Sequence, residues 1–203
     1  GIGLRTSEPE DRGSRVKAPA TIATDRLILR RPQGSDAITI FDRYAGDPEV
    51  ARFLGWPRHR SLAETEAFLK VSDSEWERWP AGPYLILSRV DGTVLGSSGF
   101  AFETPYRAAT GYVLAREAWG QGYATETLRA IIEVARAIDV QRLYALCHPQ
   151  HRPSWRVLEK CGFEREGTLH CYTEFPNLEA GVVDVLCYAI VFGLDAKRLK
   201  HAG

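Results

Sequence analysis

No stretch of about 18 consecutive apolar residues occurs in this 203-residue chain, which excludes a membrane-spanning helix. The N-terminus carries charges but no apolar core segment, so it shows no secretory signal. Neither charge is in excess: 26 Lys and Arg balance 26 Asp and Glu, mixed along the chain. A nucleic-acid surface usually needs a basic excess, so none is expected. Cysteines number four, at 147, 161, 171 and 187, with no C-x-x-C pair, and three lie in strand-like apolar runs. They read as buried reduced thiols of a cytoplasmic protein. The five histidines have neither His-x-x-x-His nor His-Glu-x-x-His spacing, so no metal site is expected. Methionine is missing altogether, and Gly1 at position 1 is expected to mark a processed or an engineered start. Lysine is scarce, 5 against 21 arginines, which reflects codon composition.

What remains is enough for one domain with a real core. Residues 1–20 are rich in Gly, Pro, Arg, Glu and Ser without periodicity and read as a flexible leader. The domain is expected over 21–195, with a tail over 196–203. Leu27-Ile28-Leu29 reads as a first strand. Ser35 or Asp36 can cap a helix carrying Ile38, Phe41 and Tyr44. Ser61-x-x-Glu64 has capping-box spacing before Leu62, Phe68, Leu69 and Trp76. Strands follow at 84–90 and 94–102, joined by Asp91-Gly92, and again at 110–114. A helix over 123–138 carries one apolar face. A strand at 142–147 precedes a helix with Pro153 in its first turn and Gly162 as its stop. Strands at 163–171 and 184–192 end the domain. This order predicts a mixed α/β fold with a sheet of about seven strands and helices on both faces. The helix between 114 and 142 makes the strands on either side parallel neighbours.

The most informative stretch is Trp119-Gly120-Gln121-Gly122-Tyr123-Ala124-Thr125-Glu126. It leaves a strand and opens a helix through two glycines. Such a turn gathers unpaired backbone N–H groups at the positive end of the helix dipole and binds phosphate without a basic side chain. Spacing excludes two familiar phosphate loops. A dinucleotide fingerprint needs Gly or Ala where Thr125 stands, and a P-loop needs Gly-Lys-Ser/Thr. No lysine lies near, so the anion is expected on backbone alone.

The string WGQGYATE after GYVLAREA resembles the acyl-CoA pyrophosphate loop of the GNAT acetyltransferase superfamily, and more narrowly its RimJ/RimL-type N-acetyltransferases. Three more pieces resemble that family in the same order. They are TDRLILRRP with GDPEVARFLGWP, HPQHRPSWRVLEKCGFEREG, and DVLCYAIVF. Together they cover roughly residues 24–193. The resemblance implies a GNAT-like fold in which the two strands around the turn splay apart and the pantetheine arm lies between them. It implies acetyl-CoA as co-substrate, no metal, an amine as acceptor, and leaves room for a homodimer. It assigns the cofactor to Trp119, Gly120, Gln121, Gly122, Tyr123, Ala124 and Thr125, with Leu114 and Ala115 pairing with the pantetheine. His151 stands where the family usually has the Asn that bonds the cofactor arm. Ser154 matches the family serine near the cofactor sulfur.

Acetyl transfer from a thioester to an amine needs an anchored pyrophosphate, a polarised carbonyl, a neutral amine and a stabilised thiolate. Two residues that the family often uses are replaced. Leu158 stands where a Tyr usually protonates the thiolate, and Ala109 or Thr110 where a Glu usually serves as base. Glu103 is the replacement base expected from chain position, with water-relayed deprotonation as the alternative. Tyr172 matches a family aromatic and joins Glu103 and Ser154 as a catalytic candidate. Asp184 matches a family Asp. Trp56, Glu103 and Tyr172 are expected to form the acceptor side. The acceptor is a protein N-terminus or a small-molecule amine. The competing reading is a non-catalytic acyl-CoA-binding module, motivated by the missing Tyr and Glu.

Overall fold

A computed structural model describes residues 16–179 and 181–193 of the chain. The tail over 196–203 and the first fifteen residues of the expected leader lie outside the described residues. Residues 17–19 already belong to the domain. Ala18 is buried and bonds to Pro80 O, and Pro19 O accepts from the Tyr84 hydroxyl.

Ten strands form two five-stranded sheets. The first runs in the order β1 (Thr21–Ala23), β2 (Leu27–Arg30), β3 (Pro83–Ser88), β4 (Val94–Gly99) and β7 (Tyr112–Leu114), antiparallel throughout. The second runs β5 (Ala101–Thr104), β6 (Arg107–Ala109), β8 (Arg142–Cys147), β10 (Val182–Val191) and β9 (Glu164–Glu174). The mixed α/β class matches the sequence reading, but one sheet of seven strands becomes two. The reason is a break in one hairpin, where β4 stops at Gly99 and β5 starts at Ala101, and β6 stops at Ala109 and β7 starts at Tyr112. Gly99 makes the bend: it has φ 136°, and a Cβ there would lie 2.5 Å from Gly82 O. Hydroxyls stitch the break, Thr110 Oγ1 donating to Gly99 O and Ser98 Oγ to Gly111 O.

That break creates the splay. β6 pairs with β8 in parallel, Ala109 opposite Tyr144. Thr110 N–H still reaches Tyr144 O. Beyond it β7 turns to β4 alone, so a gap opens between β7 and β8.

Helix α1 (Ala37–Ile40) runs on as a π turn, Phe41–Ala45, and is followed by α2 (Pro48–Ala51) and α3 (Leu62–Arg78). Ala37, Ile40 and Tyr44 face the first sheet with Leu69 of α3. Ile38 is exposed rather than inward because it falls off that stripe. Helix α4 (Tyr123–Ala137) covers the other face, with Leu128, Ile131 and Ile132 against Leu27, Leu29, Ile86 and Leu114. Each such side chain contributes about 1.5–3 kcal/mol by burial. Helix α5 (Arg152–Lys160) covers β8 through Leu158 and stops at Gly162, where Gly162 N–H bonds Glu159 O and Phe163 N–H bonds Leu158 O.

The capping box at Ser61 is not formed as spaced. Glu64 reaches back one residue further, to Arg60 N–H at 2.6 Å, and the Ser61 hydroxyl makes no cap bond. Asp36 likewise spends its carboxylate on Gln33 N–H and on both Nη atoms of Arg30. All four cysteines are free. Cys147 and Cys187 are buried and Cys161 half-buried. Cys171 is exposed, because it sits at φ 48° in a bulge of β9. No helix among the described residues is long and apolar enough to cross a membrane.

Candidate active site

The glycine turn has the conformation its sequence asks for. Gly120 and Gly122 have φ of 71° and 80°, where L side chains are strained. Gly122 is the N-cap of α4 and offers no side chain to its first turn. The first intrahelical bond runs from Glu126 N–H to Gly122 O. The N–H groups of Tyr123, Ala124 and Thr125 precede it, at the positive end of the dipole.

A side-chain clamp that sequence reasoning missed holds this turn. Glu126 accepts from Thr24 Oγ1 at 2.6 Å, Arg26 N–H at 2.9 Å and Arg26 Nε at 2.7 Å. Arg26 also donates to Gln121 O at 2.8 Å and lies over the Tyr123 ring. Burial would raise the Glu126 carboxyl, but the Thr24 and Arg26 bonds outweigh it and hold the carboxyl below its ordinary range. So the turn is not backbone alone; an arginine from the end of the β1–β2 hairpin braces it. The signal was Arg26 itself, separated from the turn by about a hundred residues.

Trp119 is 47% exposed, and its indole N–H caps Leu114 O at 2.9 Å. Gln121 Nε2 donates to Glu117 O. Ala115 spends its N–H on Leu95 O and its carbonyl on Ala118 N–H. By the alternation of an antiparallel ladder, the N–H groups of Leu114 and Tyr112 then point to the open edge, where the Leu114 carbonyl is already taken by Trp119. Of the two residues expected along the pantetheine, Leu114 is the one whose N–H points away from β4, and neither is among the residues lining the cleft.

The gap is a cleft of about 490 Å³. Tyr112, Cys147, His151, Ser154, Leu158 and Tyr172 are among the residues lining it. His151 is half-buried at the start of α5 and stacks on Phe53 at 4.7 Å. Burial, and His148 beside it, hold its pKa below the usual histidine value, so it is neutral at pH 7. A neutral imidazole gives one donor and one acceptor. Ser154 stands one turn before Leu158 on α5, and its N–H bonds His151 O.

The structure supplies a phenol where α5 has none. Tyr112 of β7 lines the cleft with Ser154, whose hydroxyl is close enough to favour the phenolate but forms no hydrogen bond with it. Burial pushes the Tyr112 phenol up to about 12, against the lowering effect of Ser154. Period-2 alternation was the only sequence signal for this, and it does not say which face of β7 meets α5.

Glu103 is placed elsewhere. It pairs with Arg107 at 2.7 Å and accepts from the Tyr144 hydroxyl. These side chains line a separate cleft on the open face of the second sheet, with Arg142 and Glu166. Tyr172 is 54% exposed and borders both clefts. Asp184 holds the β9 bulge, taking Cys171 N–H at 2.9 Å and His170 Nδ1 at 2.8 Å. These bonds keep its carboxyl below the ordinary range.

Trp56 does line the cleft, and Asn177 sets it there. Asn177 Nδ2 donates to Ala51 O and Trp56 O, and its Oδ1 accepts from Arg58 N–H. One amide thus ties the loop after α2 to the loop between β9 and β10. Among the described residues no group of three or more His, Cys, Asp and Glu side chains could hold a metal ion.

Comparison with known proteins matches this geometry to a family. Residues 26–164 match the model of an acetyltransferase (GNAT) domain. The uncharacterized N-acetyltransferase p20 of Bacillus licheniformis is 25% identical over 174 residues, covering 84% of this chain and 96% of that protein. The uncharacterized N-acetyltransferase YoaA of Bacillus subtilis is 29% identical over 154 residues, covering 74% and 86%. Among solved structures, RimL, a ribosomal α-N-protein acetyltransferase in complex with coenzyme A, superposes with TM-score 0.76. It is 24% identical, covering 84% of this chain and 97% of that one. The microcin self-immunity acetyltransferase MccE, in complex with acetyl-CoA and AMP, gives TM-score 0.76 at 20% identity, covering 86% and 97%. Glycine turn, splayed strands and family model agree over more than half the sequence, and the chain belongs to the GNAT acetyltransferase family.

Proposed function

We propose that the protein moves an acetyl group from acetyl-CoA to a primary amine held beside Trp56 and Tyr172. The observation that carries this is the splay between β7 and β8. It has the glycine turn at one end, and the Ser154 and Tyr112 hydroxyls face its interior. The pyrophosphate sits on the N–H groups of residues 120–125, with Trp119 and Gln121 shaping the approach. The pantetheine follows the open edge at Leu114, and His151 bonds its amides. The thioester then meets Ser154.

The roles follow from acid strength. Ser154 donates to the departing sulfur, and Tyr112, the stronger acid of the two hydroxyls, lines the same cleft beside it. The amine attacks the thioester carbon, the C–S bond breaks, and the amine's proton leaves through water. An α-amino group near ~8 loses that proton far more readily at pH 7 than a lysine near ~10.4. Positioning supplies much of the rate, since effective molarities reach roughly 10⁵ M. Glu103, committed to Arg107 and Tyr144, is outside this scheme.

The test is an amine panel with acetyl-CoA, read by thiol release and by the mass of the acetylated product. Transfer to at least one amine is expected. CoA binding without transfer to any amine would leave a non-catalytic acyl-CoA-binding module instead.

A further inference from the structure

Among the described residues lining the transfer cleft there is no carboxylate and no lysine. Its ionisable side chains are Tyr112, Cys147, His151 and Tyr172. Phenols and thiols ordinarily keep their protons at pH 7. Burial pushes Tyr112 and Cys147 further up, each to about 12. His151 is the side chain left with a basic nitrogen.

The ring of His151 is placed to use it. It is half-buried and lies flat against Phe53, which lines the same cleft, with the two planes 16° apart. Neither ring nitrogen bonds to another described residue, and both keep accessible surface. His151 is also the N-cap residue of α5, where the positive end of the dipole opposes an imidazolium. The other described histidines are engaged. His148 accepts Gln150 N–H on Nδ1 at 3.1 Å, so its proton sits on Nε2. His59 Nδ1 meets Thr65 Oγ1, and His170 Nδ1 meets Asp184, each at 2.8 Å. None of these three lines the cleft.

We infer that His151 is the base of the transfer: its bare nitrogen takes, through the intervening water, the proton that the attacking amine releases, while its N–H donates to a carbonyl of the cofactor arm. The inference rests on amine acetylation in this cleft and names the group that receives the proton. The amine lone pair forms the C–N bond, and the C–S bond breaks with its electron pair going to sulfur. The thiolate stays hydrogen-bonded to Ser154 until solvent protonates it, and the imidazolium returns its proton to solvent.

The groups around the ring set the sign of its pH dependence. His148 precedes it, Arg152 follows it on α5, and Arg52 lies over the same Phe53 ring. Tyr112, Cys147 and Tyr172 share the cleft with it. Of the charges among these, His148 is the one that bears on the ring, in the same lowering direction as burial. The ring is therefore bare above a pKa that lies below the usual 6.5, and protonated under it. Transfer should fall in acid as that nitrogen fills.

The experiment measures kcat and KM against pH with acetyl-CoA and an alanyl tripeptide, phenethylamine and spermidine in turn. It uses the wild type, His151→Asn and His151→Gln, with CoA affinity by calorimetry. An amide keeps a donor and an acceptor for the cofactor arm but has no basic nitrogen. His151→Asn should hold CoA affinity within about threefold and lose about 100-fold or more in kcat, and His151→Gln should lose kcat likewise. The acid limb that belongs to His151 should vanish in both, while any limb from the amine itself stays in all three proteins. Wild-type kcat in His151→Asn, or an acid limb unchanged in it, overturns the base while leaving amine acetylation intact. So does a loss that is wholly one of CoA affinity, since His151 then serves the cofactor arm alone. If the wild type acetylates none of the three amines, the transfer reading falls and the base falls with it.

Discussion

Removing the Ser154 hydroxyl should cost the departing thiolate its hydrogen bond. A bond to a charged acceptor contributes about 1.5–3 kcal/mol, so Ser154→Ala should lower kcat/KM by roughly 10- to 150-fold. Tyr112 sets how that bond works. Its phenol is pushed up to about 12 by burial, whereas a thiol ionises near ~8.5. Full proton transfer from phenol to thiolate is therefore uphill by about 5 kcal/mol, and the pair must act by hydrogen bonding. Two consequences are measurable. First, the pH profile of kcat/KM should show no basic limb from Tyr112 up to about pH 10. Second, the proposed scheme makes Tyr112 a positioning residue that acts through Ser154. Once Ser154 is gone, Tyr112→Phe should cost little more, with a coupling energy of about 1 kcal/mol or above in a double-mutant cycle. Full activity in Ser154→Ala, or strictly additive losses in the cycle, would refute the relay.

Gly122→Val forces a β-branched residue to φ 80°, with its Cβ 3.4 Å from Arg26 Nη2. CoA affinity should drop by about tenfold or more in a folded variant; unchanged affinity by calorimetry removes the turn as the anion site. Glu126→Gln removes the charge that three donors share, for about 2 kcal/mol or roughly 4–8 °C in Tm at pH 7. Because the folded Glu126 carboxyl lies below its unfolded value, that stability is present above about pH 4.3 and lost as pH falls through the folded pKa. The Tm gap between wild type and variant should therefore close in acid, and a gap that widens there contradicts the clamp. Glu103→Gln should change kcat/KM by less than about threefold, since its carboxylate is held by Arg107 and Tyr144 in another cleft; a loss of about 100-fold would make it the base after all.

Features set by local chemistry were legible in the sequence. The glycine turn, the apolar stripe of α4, the 142–147 strand and the Gly162 stop all follow from a few neighbouring residues. What depends on distant partners was not. Only glycine fits the bend at Gly99, because a Cβ there would meet Gly82 O, and Gly82 leads into the neighbouring strand and lies outside the local sequence. Arg26 braces the turn, Asn177 sets Trp56, and Tyr112 shares a cleft with Ser154 through placements that no local periodicity encodes. Glu103 shows the reverse error: chain position brought it near the cleft, but it sits on the open face of the second sheet with Arg107 and Tyr144.

The most direct test is a crystal structure of the protein with CoA. The pyrophosphate is expected on the backbone N–H groups of residues 120–125, the pantetheine along Leu114 in the gap between β7 and β8, and the sulfur within hydrogen-bond range of Ser154 Oγ. A pyrophosphate bound away from that turn, or a sulfur lying well beyond reach of Ser154, would contradict the account.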